Sequence, residues 1–302
     1  MTYKQKARIQ RLALLLPGVA LYGIFNFMPL LGLLGLSLVR WPGIGPSEYV
    51  GLGNFMQLLG EPYYRDQFFN ALFQNVYFFV IIIGAMLILG TGLALLLSFR
   101  TWGRNTYRAI FFIPYPLAGA AVAFLLNMMV ETRGPINTLL VKGLGVMDAP
   151  IGFLGEPDLA LSTLAVFYSW HRLSFAIILI MSAIIAVRVH LLEAAMLDGA
   201  NRWQTLRAVV FPVLGPAFIL ITVIVMVDVF NNADYTLLLM GPEAGPLRNT
   251  DIMGTFLFRT SFGGSATSVN INFGMAAAIG LITALLILPA ALYLSLKNLR
   301  KD

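Results

Sequence analysis

The chain contains no cysteine and only two histidines among its 302 residues. The first absence excludes disulfides, thiolate metal sites and a cysteine nucleophile. The second leaves too little material for a histidine-rich metal centre, and no metal site is expected. Charge is scarce as well. Asp, Glu, Lys and Arg together make up 11% of the sequence, against about 25% in an ordinary soluble domain. A soluble protein of this length cannot cover its surface with so few charges. Apolar residues stand in their place, at 59%, and the mean hydropathy is +0.82. This composition excludes disorder over most of the chain and points to an all-α, polytopic membrane protein.

A helix needs about 20 apolar residues to cross the hydrocarbon core. Six segments of suitable length predict six transmembrane helices: 12–39, 71–99, 109–130, 159–187, 208–227 (with a possible extension towards Met240) and 274–296. Pro and Gly inside several of them are tolerated in lipid, where neighbouring helices satisfy the freed carbonyls. Pro114 and Pro116 mark a kink or break in the third. The first apolar run is too long for the core of a signal peptide, and no small-residue cleavage site follows it. It reads as a retained helix.

Six spans place both termini on one side, and the basic residues decide which. The segments 1–11, 100–108, 188–207 and 297–302 carry 13 of the 20 Lys and Arg, whereas 11 of the 14 acidic residues fall on the other side or near the outer ends of spans. The positive-inside bias therefore puts both termini in the cytoplasm. It also accounts for the net charge of +6 without nucleic acid as a partner. The expected organisation is a cytoplasmic N-terminus (1–11), a first transmembrane helix (12–39), an outer loop (40–70), a five-helix core (71–296) with a cytoplasmic loop at 188–208, and a cytoplasmic C-terminus (297–302). The outer connections are too short for a sizeable extracellular domain.

The most informative stretch is the loop between spans four and five. Leu191–Leu197 is a good helix former with small residues on one side, and Asp198-Gly199 turns the chain. A second helical stretch from Arg202 leads to Pro212 in the fifth span. Glu193, Ala194 and Ala195 are followed after three residues by Gly199. After nine further residues come Val209, Val210, Phe211 and Pro212. This resembles the E-A-A, three residues, G, nine residues, I-x-L-P signature of permease subunits of binding-protein-dependent ABC importers, with Val and Phe in place of Ile and Leu. The commoner form E-A-A-x-x-D-G-A fits through Asp198, Gly199 and Ala200. Gly51-Leu52-Gly53-Asn54-Phe55 is similar to a segment following the first span of the carbohydrate-uptake branch, the maltose and glycerol-phosphate type. Phe230–Pro242, with Asp234 at the acidic position, resembles another segment of that branch, although Met240 departs from its pattern and one Gly is missing.

The resemblance implies a type I ABC importer permease (MetI-like) architecture in a bacterial inner membrane, crossed several times. It implies a carrier for a sugar, an oligosaccharide or a related solute such as a glycerol phosphate. The ATPase-coupling residues would be Glu193, Ala194, Ala195, Asp198, Gly199 and Ala200. The chain has no G-x-x-x-x-G-K-[ST], so it has no phosphate cradle of its own. No cofactor is expected on it; ATP and Mg would sit on two separate ATP-binding subunits. The remaining expected partners are a second, related permease in a heterodimer, an extracytoplasmic solute-binding protein and membrane lipid. An ion-driven secondary carrier or a passive channel is the alternative, and neither would need the loop. No catalytic constellation is present, so a non-enzymatic subunit is expected.

Polar groups at mid-membrane face a bundle interior or a wet cavity. On the fourth span, Tyr168, His171 and Arg172 follow helical spacing and share a face, whereas Trp170 does not. Asp228, Asn231 and Asn232 gather near the end of the fifth. These six are the candidate substrate-pathway residues, offering the aromatic and hydrogen-bonding groups a sugar requires. Two roles stay open for Arg172: lining the path, with an anionic substrate as one implication, or pairing with Asp228 to hold the bundle. The Asp228–Asn232 cluster either lines the cavity or caps a solvated helix end.

Overall fold

The computed structural model describes residues 14–98, 104–264 and 271–299. The predicted cytoplasmic N-terminus at 1–11 and residues 300–302 of the tail lie outside them. In chain order the elements are α1 (Leu14–Ser37), the short strands β1 (Val39–Arg40) and β2 (Glu48–Tyr49), α2 (Gly53–Gly60), α3 (Pro62–Ser98), α4 (Arg104–Phe112), α5 (Gly119–Val130) and α6 (Pro135–Thr138). There follow α7 (Pro157–Ile185), α8 (Val189–Leu197), α9 (Arg202–Asn231), α10 (Asp234–Met240), α11 (Met253–Phe262) and α12 (Phe273–Leu299). Strands β1 and β2 pair antiparallel, with Val39 opposite Tyr49.

Among the described residues, five helices are long and apolar enough to cross a bilayer: α1, α3, α7, α9 and α12. The segment expected as the third span is split into α4 and α5, with a turn over 113–118. The cause is local. Pro114 has no N–H for the carbonyl of Ile110, and Pro116 has none for that of Phe112. Tyr115 N–H turns back to Phe112 instead. The carbonyl of Phe111, left without its helical partner, accepts a hydrogen bond from Ser174 Oγ of α7. The second span begins at Pro62 rather than near 71. The fifth ends at Asn231, where Asn232 turns extended before α10 starts.

Helices α3 and α7 pack along most of their lengths and form the centre of the molecule. In lipid, helix association rests on close van der Waals contact rather than on hydrophobic expulsion, so small residues mark the seam. Gly90 of α3 lies against Ala176 and Ile180 of α7; a Cβ at that glycine would come within 3.1 Å of Ala176 Cβ. Leu164, Ala165, Ile180, Ile82 and Met86 fill the same seam and are fully buried or nearly so. Helix α9 packs beside this pair, α12 packs on α9 and α1, and α11 fits between α12 and α3.

The first helix is joined to the rest chiefly at its C-terminal end. Side chains from Leu14 to Leu31 are exposed apart from Gly23, whereas Leu33, Leu36 and Ser37 turn towards α12. The residue that fixes this end is Asn54 in α2, from the Gly-Leu-Gly-Asn-Phe segment. It is completely buried. Its Nδ2 donates to the carbonyls of Ser37 and Val39, both at 2.8 Å, and its Oδ1 accepts from Asn272 just before α12. Two carbonyls at the end of α1 thus gain a donor that the chain's own backbone does not supply.

A second polar knot fastens the outer segment 241–262. Arg259 of α11 and Asp251 are 2% and 0% exposed and bridge at 2.6 Å. The guanidinium also donates to the second Asp251 oxygen at 3.1 Å, to the carbonyl of Pro242 and to Gln67 of α3. Thr255 Oγ1 donates to the same carboxylate. Both residues are charges that hydropathy alone assigns to a solvated outer loop.

Candidate functional site

Two places on the molecule are candidates for function: the elbow between α7 and α9, and a cavity between α3, α7, α9 and the break in the third span.

At the elbow, α8 has no buried residue. Its end is specified by a glycine. Gly199 adopts φ +76°, a conformation that costs an L-residue with a Cβ roughly 1–2 kcal/mol. Ala200 N–H bonds to the carbonyl of Ala195 at 2.9 Å and Gly199 N–H to that of Met196 at 3.1 Å, so the last carbonyls of α8 are satisfied by the reversal itself. The next helix opens with a reciprocal cap. Asn201 Oδ1 accepts from Gln204 N–H at 2.9 Å and Gln204 Oε1 accepts from Asn201 N–H at 2.8 Å, which pins the start of α9. Glu193, Ala194, Asp198 and Gly199 are exposed, and Ala195 and Ala200 are partly so. The six signature residues thus form a rigid, solvent-facing helix-turn unit, with exposed Met196, Leu197 and Trp203 beside them.

The cavity has a volume of about 460 Å³. Its walls bring together Tyr168 and Arg172 of α7 with Asp228 and Asn231 of α9, backed by Met86, Tyr115 and Phe175. The Tyr168 hydroxyl donates to Asp228 Oδ2. The Arg172 guanidinium lies 3.4 Å from that same oxygen and 5.7 Å from the centre of the Tyr168 ring. Helical spacing explains the pairing: Tyr168 and Arg172 are one turn apart on α7, and both face the same point on α9. Arg172 pairs with Asp228 and also lines the cavity.

Four of the six predicted pathway residues meet here, and two do not. His171 is buried and turned to α10, where its Nδ1 lies 2.5 Å from the Tyr235 hydroxyl. Asn232 accepts a hydrogen bond from Asp234 N–H at 2.8 Å, and so caps the start of α10. Trp170, placed off this face by its spacing, is exposed. Sequence reasoning missed Tyr115. It sits in the turn 113–118, and its ring stacks on Phe175 with the planes 9° apart and centroids at 6.3 Å. The Pro-Tyr-Pro run was the available signal, since a break in a span exposes whatever it carries.

Among the described residues no three His, Asp or Glu side chains come close enough to hold a metal ion.

Similarity to known proteins runs over the whole length. The chain is 26% identical over 315 aligned positions to the trehalose/maltose transport system permease protein MalF of Thermococcus litoralis, covering 100% of this chain and 99% of that protein. It is 29% identical to the probable starch degradation products transport system permease protein AmyD of Thermoanaerobacterium thermosulfurigenes, covering 83% and 82%. In fold it matches a chain of the bacterial alginate ABC transporter crystallised in complex with an alginate pentasaccharide-bound periplasmic protein, with TM-score 0.78, 22% identity and coverage of 97% and 95%. Residues 86–298, which contain the elbow and the cavity, match the family described as the binding-protein-dependent transport system inner membrane component, and the chain belongs to that family.

Proposed function

We propose that this chain is the membrane subunit of an ATP-driven importer that passes a sugar or oligosaccharide through the 460 Å³ cavity and takes its driving force through the α8–α9 elbow. The elbow carries the reading. A helix that buries no residue fully, packs on the core chiefly through Leu192 and is followed by the Gly199 turn and the Asn201–Gln204 cap suits a surface that another protein grips. The chain has no nucleotide motif, so the gripping partner is a separate ATPase bearing ATP and Mg. One elbow per chain and two ATPases per importer call for a second, related permease. A solute-binding protein delivers the sugar from outside, and both termini lie in the cytoplasm with the third segment crossing as the broken pair α4 and α5, which gives six crossings. Closure of the two ATPases draws the elbows together and shifts the population from inward-facing to outward-facing, as ATP must bind the two states with different affinity.

A saccharide is supported by the relatives named for trehalose, maltose and starch products. The cavity chemistry agrees: Tyr115 and Phe175 offer apolar ring faces, and Tyr168, Arg172, Asp228 and Asn231 offer hydrogen-bonding groups. Aromatic faces paired with a few placed polar groups suit a molecule with an apolar ring face and a rim of hydroxyls.

Glu193→Arg and Gly199→Asp are each expected to abolish uptake and its coupled ATP hydrolysis while the protein still inserts. Uptake should be ATP-dependent and vanadate-sensitive in the parent. Wild-type coupling in both variants sinks the lever role and leaves α8 as a helix lying on lipid headgroups. Uptake independent of ATP would favour an ion-driven carrier or a channel.

A further inference from the structure

Among the described residues, the cavity wall contains one cation and one anion, Arg172 and Asp228. They are not separate features. Asp228 Oδ2 takes both the Tyr168 hydroxyl and the Arg172 guanidinium, so the cavity carries no net charge. A substrate carboxylate could reach Arg172 only by competing with Asp228. Success would leave the Asp228 carboxylate beside a second anion, with only Tyr168 as a partner. Like charges held a few ångströms apart in a site of reduced dielectric repel strongly, and stripping one partner from such a pair leaves an uncompensated charge. A hydroxylated, uncharged molecule meets neither penalty. It can lie on Tyr115 and Phe175 and hydrogen-bond to the Asn231 amide and the outer faces of the ion pair.

We infer that the Arg172–Asp228 pair is a charge filter that admits uncharged saccharides and rejects acidic ones, with Asp228 as the residue that sets the selectivity. This rests on the reading that the cavity is the passage. It also reverses what Arg172 alone would suggest, since an isolated arginine in the path favours an anionic sugar.

The test uses the assembled importer in nanodiscs without its solute-binding protein, so that only the membrane filter is measured. Two probes differ in charge alone: maltotriose, and maltotriose with its terminal C6 hydroxymethyl oxidised to a carboxylate. Dissociation constants come from saturation-transfer NMR titrations at neutral pH. The parent protein is expected to bind maltotriose at least about tenfold more tightly than the acid. Asp228→Asn leaves Arg172 uncompensated, and the acid should gain about tenfold, closing the gap. Adding Arg172→Gln to that variant removes the cation, and the gain should disappear. Arg172→Gln alone should weaken the acid about tenfold more than it weakens maltotriose. A role limited to holding helices together would shift both probes alike in every variant. Equal binding of both probes by the parent, or no gain for the acid in Asp228→Asn, overturns the filter. If Asp228→Asn does not assemble, Arg172→Gln alone decides, because the filter requires the acid to lose more than the neutral sugar. If neither probe binds the parent, the cavity is not the passage, and the filter falls with that reading.

Discussion

Two of the arginine–aspartate pairs among the described residues lie within the helix bundle, and they are built to opposite specifications. Arg259–Asp251 is sealed, at 2% and 0% exposure, with a 2.6 Å contact and further bonds to Pro242, Gln67 and Thr255. Arg172–Asp228 is open, at 32% and 33% exposure and 3.4 Å. Its guanidinium Nε has no hydrogen-bond partner. The same two side chains therefore serve as a rivet in one place and as part of a wetted wall in the other. Satisfaction of every donor and acceptor distinguishes them. A buried network that is fully bonded specifies one structure, whereas one with spare capacity can exchange partners.

The contrast can be broken by removing one partner from each pair. The largest effect is expected from Asp251→Ala, which leaves Arg259 buried and unpaired at a cost of about 3–5 kcal/mol. Thermal unfolding in detergent should show a clear loss of stability and poor recovery of folded protein; an unchanged melting transition would mean that the sealed pair is not a rivet. A smaller loss, about 1.5–3 kcal/mol, is expected for Arg259→Lys, which keeps the charge but cannot donate to both carboxylate oxygens, Pro242 and Gln67 at once. The least change in stability, within about 1 kcal/mol, is expected for Arg172→Gln. It should melt close to the parent yet transport differently. If it instead unfolds as readily as Asp251→Ala, the two pairs are alike and the distinction is lost.

What could be read from the sequence divides along the same line. The elbow was legible because everything that makes it is local: helix formers, Asp198-Gly199 as the turn, Arg202 as the restart. Tyr168 and Arg172 were legible because one helical turn puts them together. Arg259 and Asp251 were not. They lie eight residues apart across a loop and a helix start, and the partner that closes the network, Gln67, is 192 positions away. Their charges counted towards topology when they belong to the interior. His171 shows the converse limit. Spacing puts it on the Tyr168 face, but the start of α10, set by the cap at Asn232, brings Tyr235 to its ring. The break in the third span was legible as well, because Pro114 and Pro116 each lack the N–H that would continue the helix.

The junction at Asn54 has a consequence for the shape of the whole. A single amide in α2 ties the end of α1 to the start of α12, while the opposite two-thirds of α1 touch little else in the chain. The first helix is thus an outrigger moored at one point, and it precedes the part of the chain that its family shares, residues 86–298. Its free length is available to a neighbouring subunit or to lipid without disturbing the cavity, so contacts there can change while the cavity keeps its form.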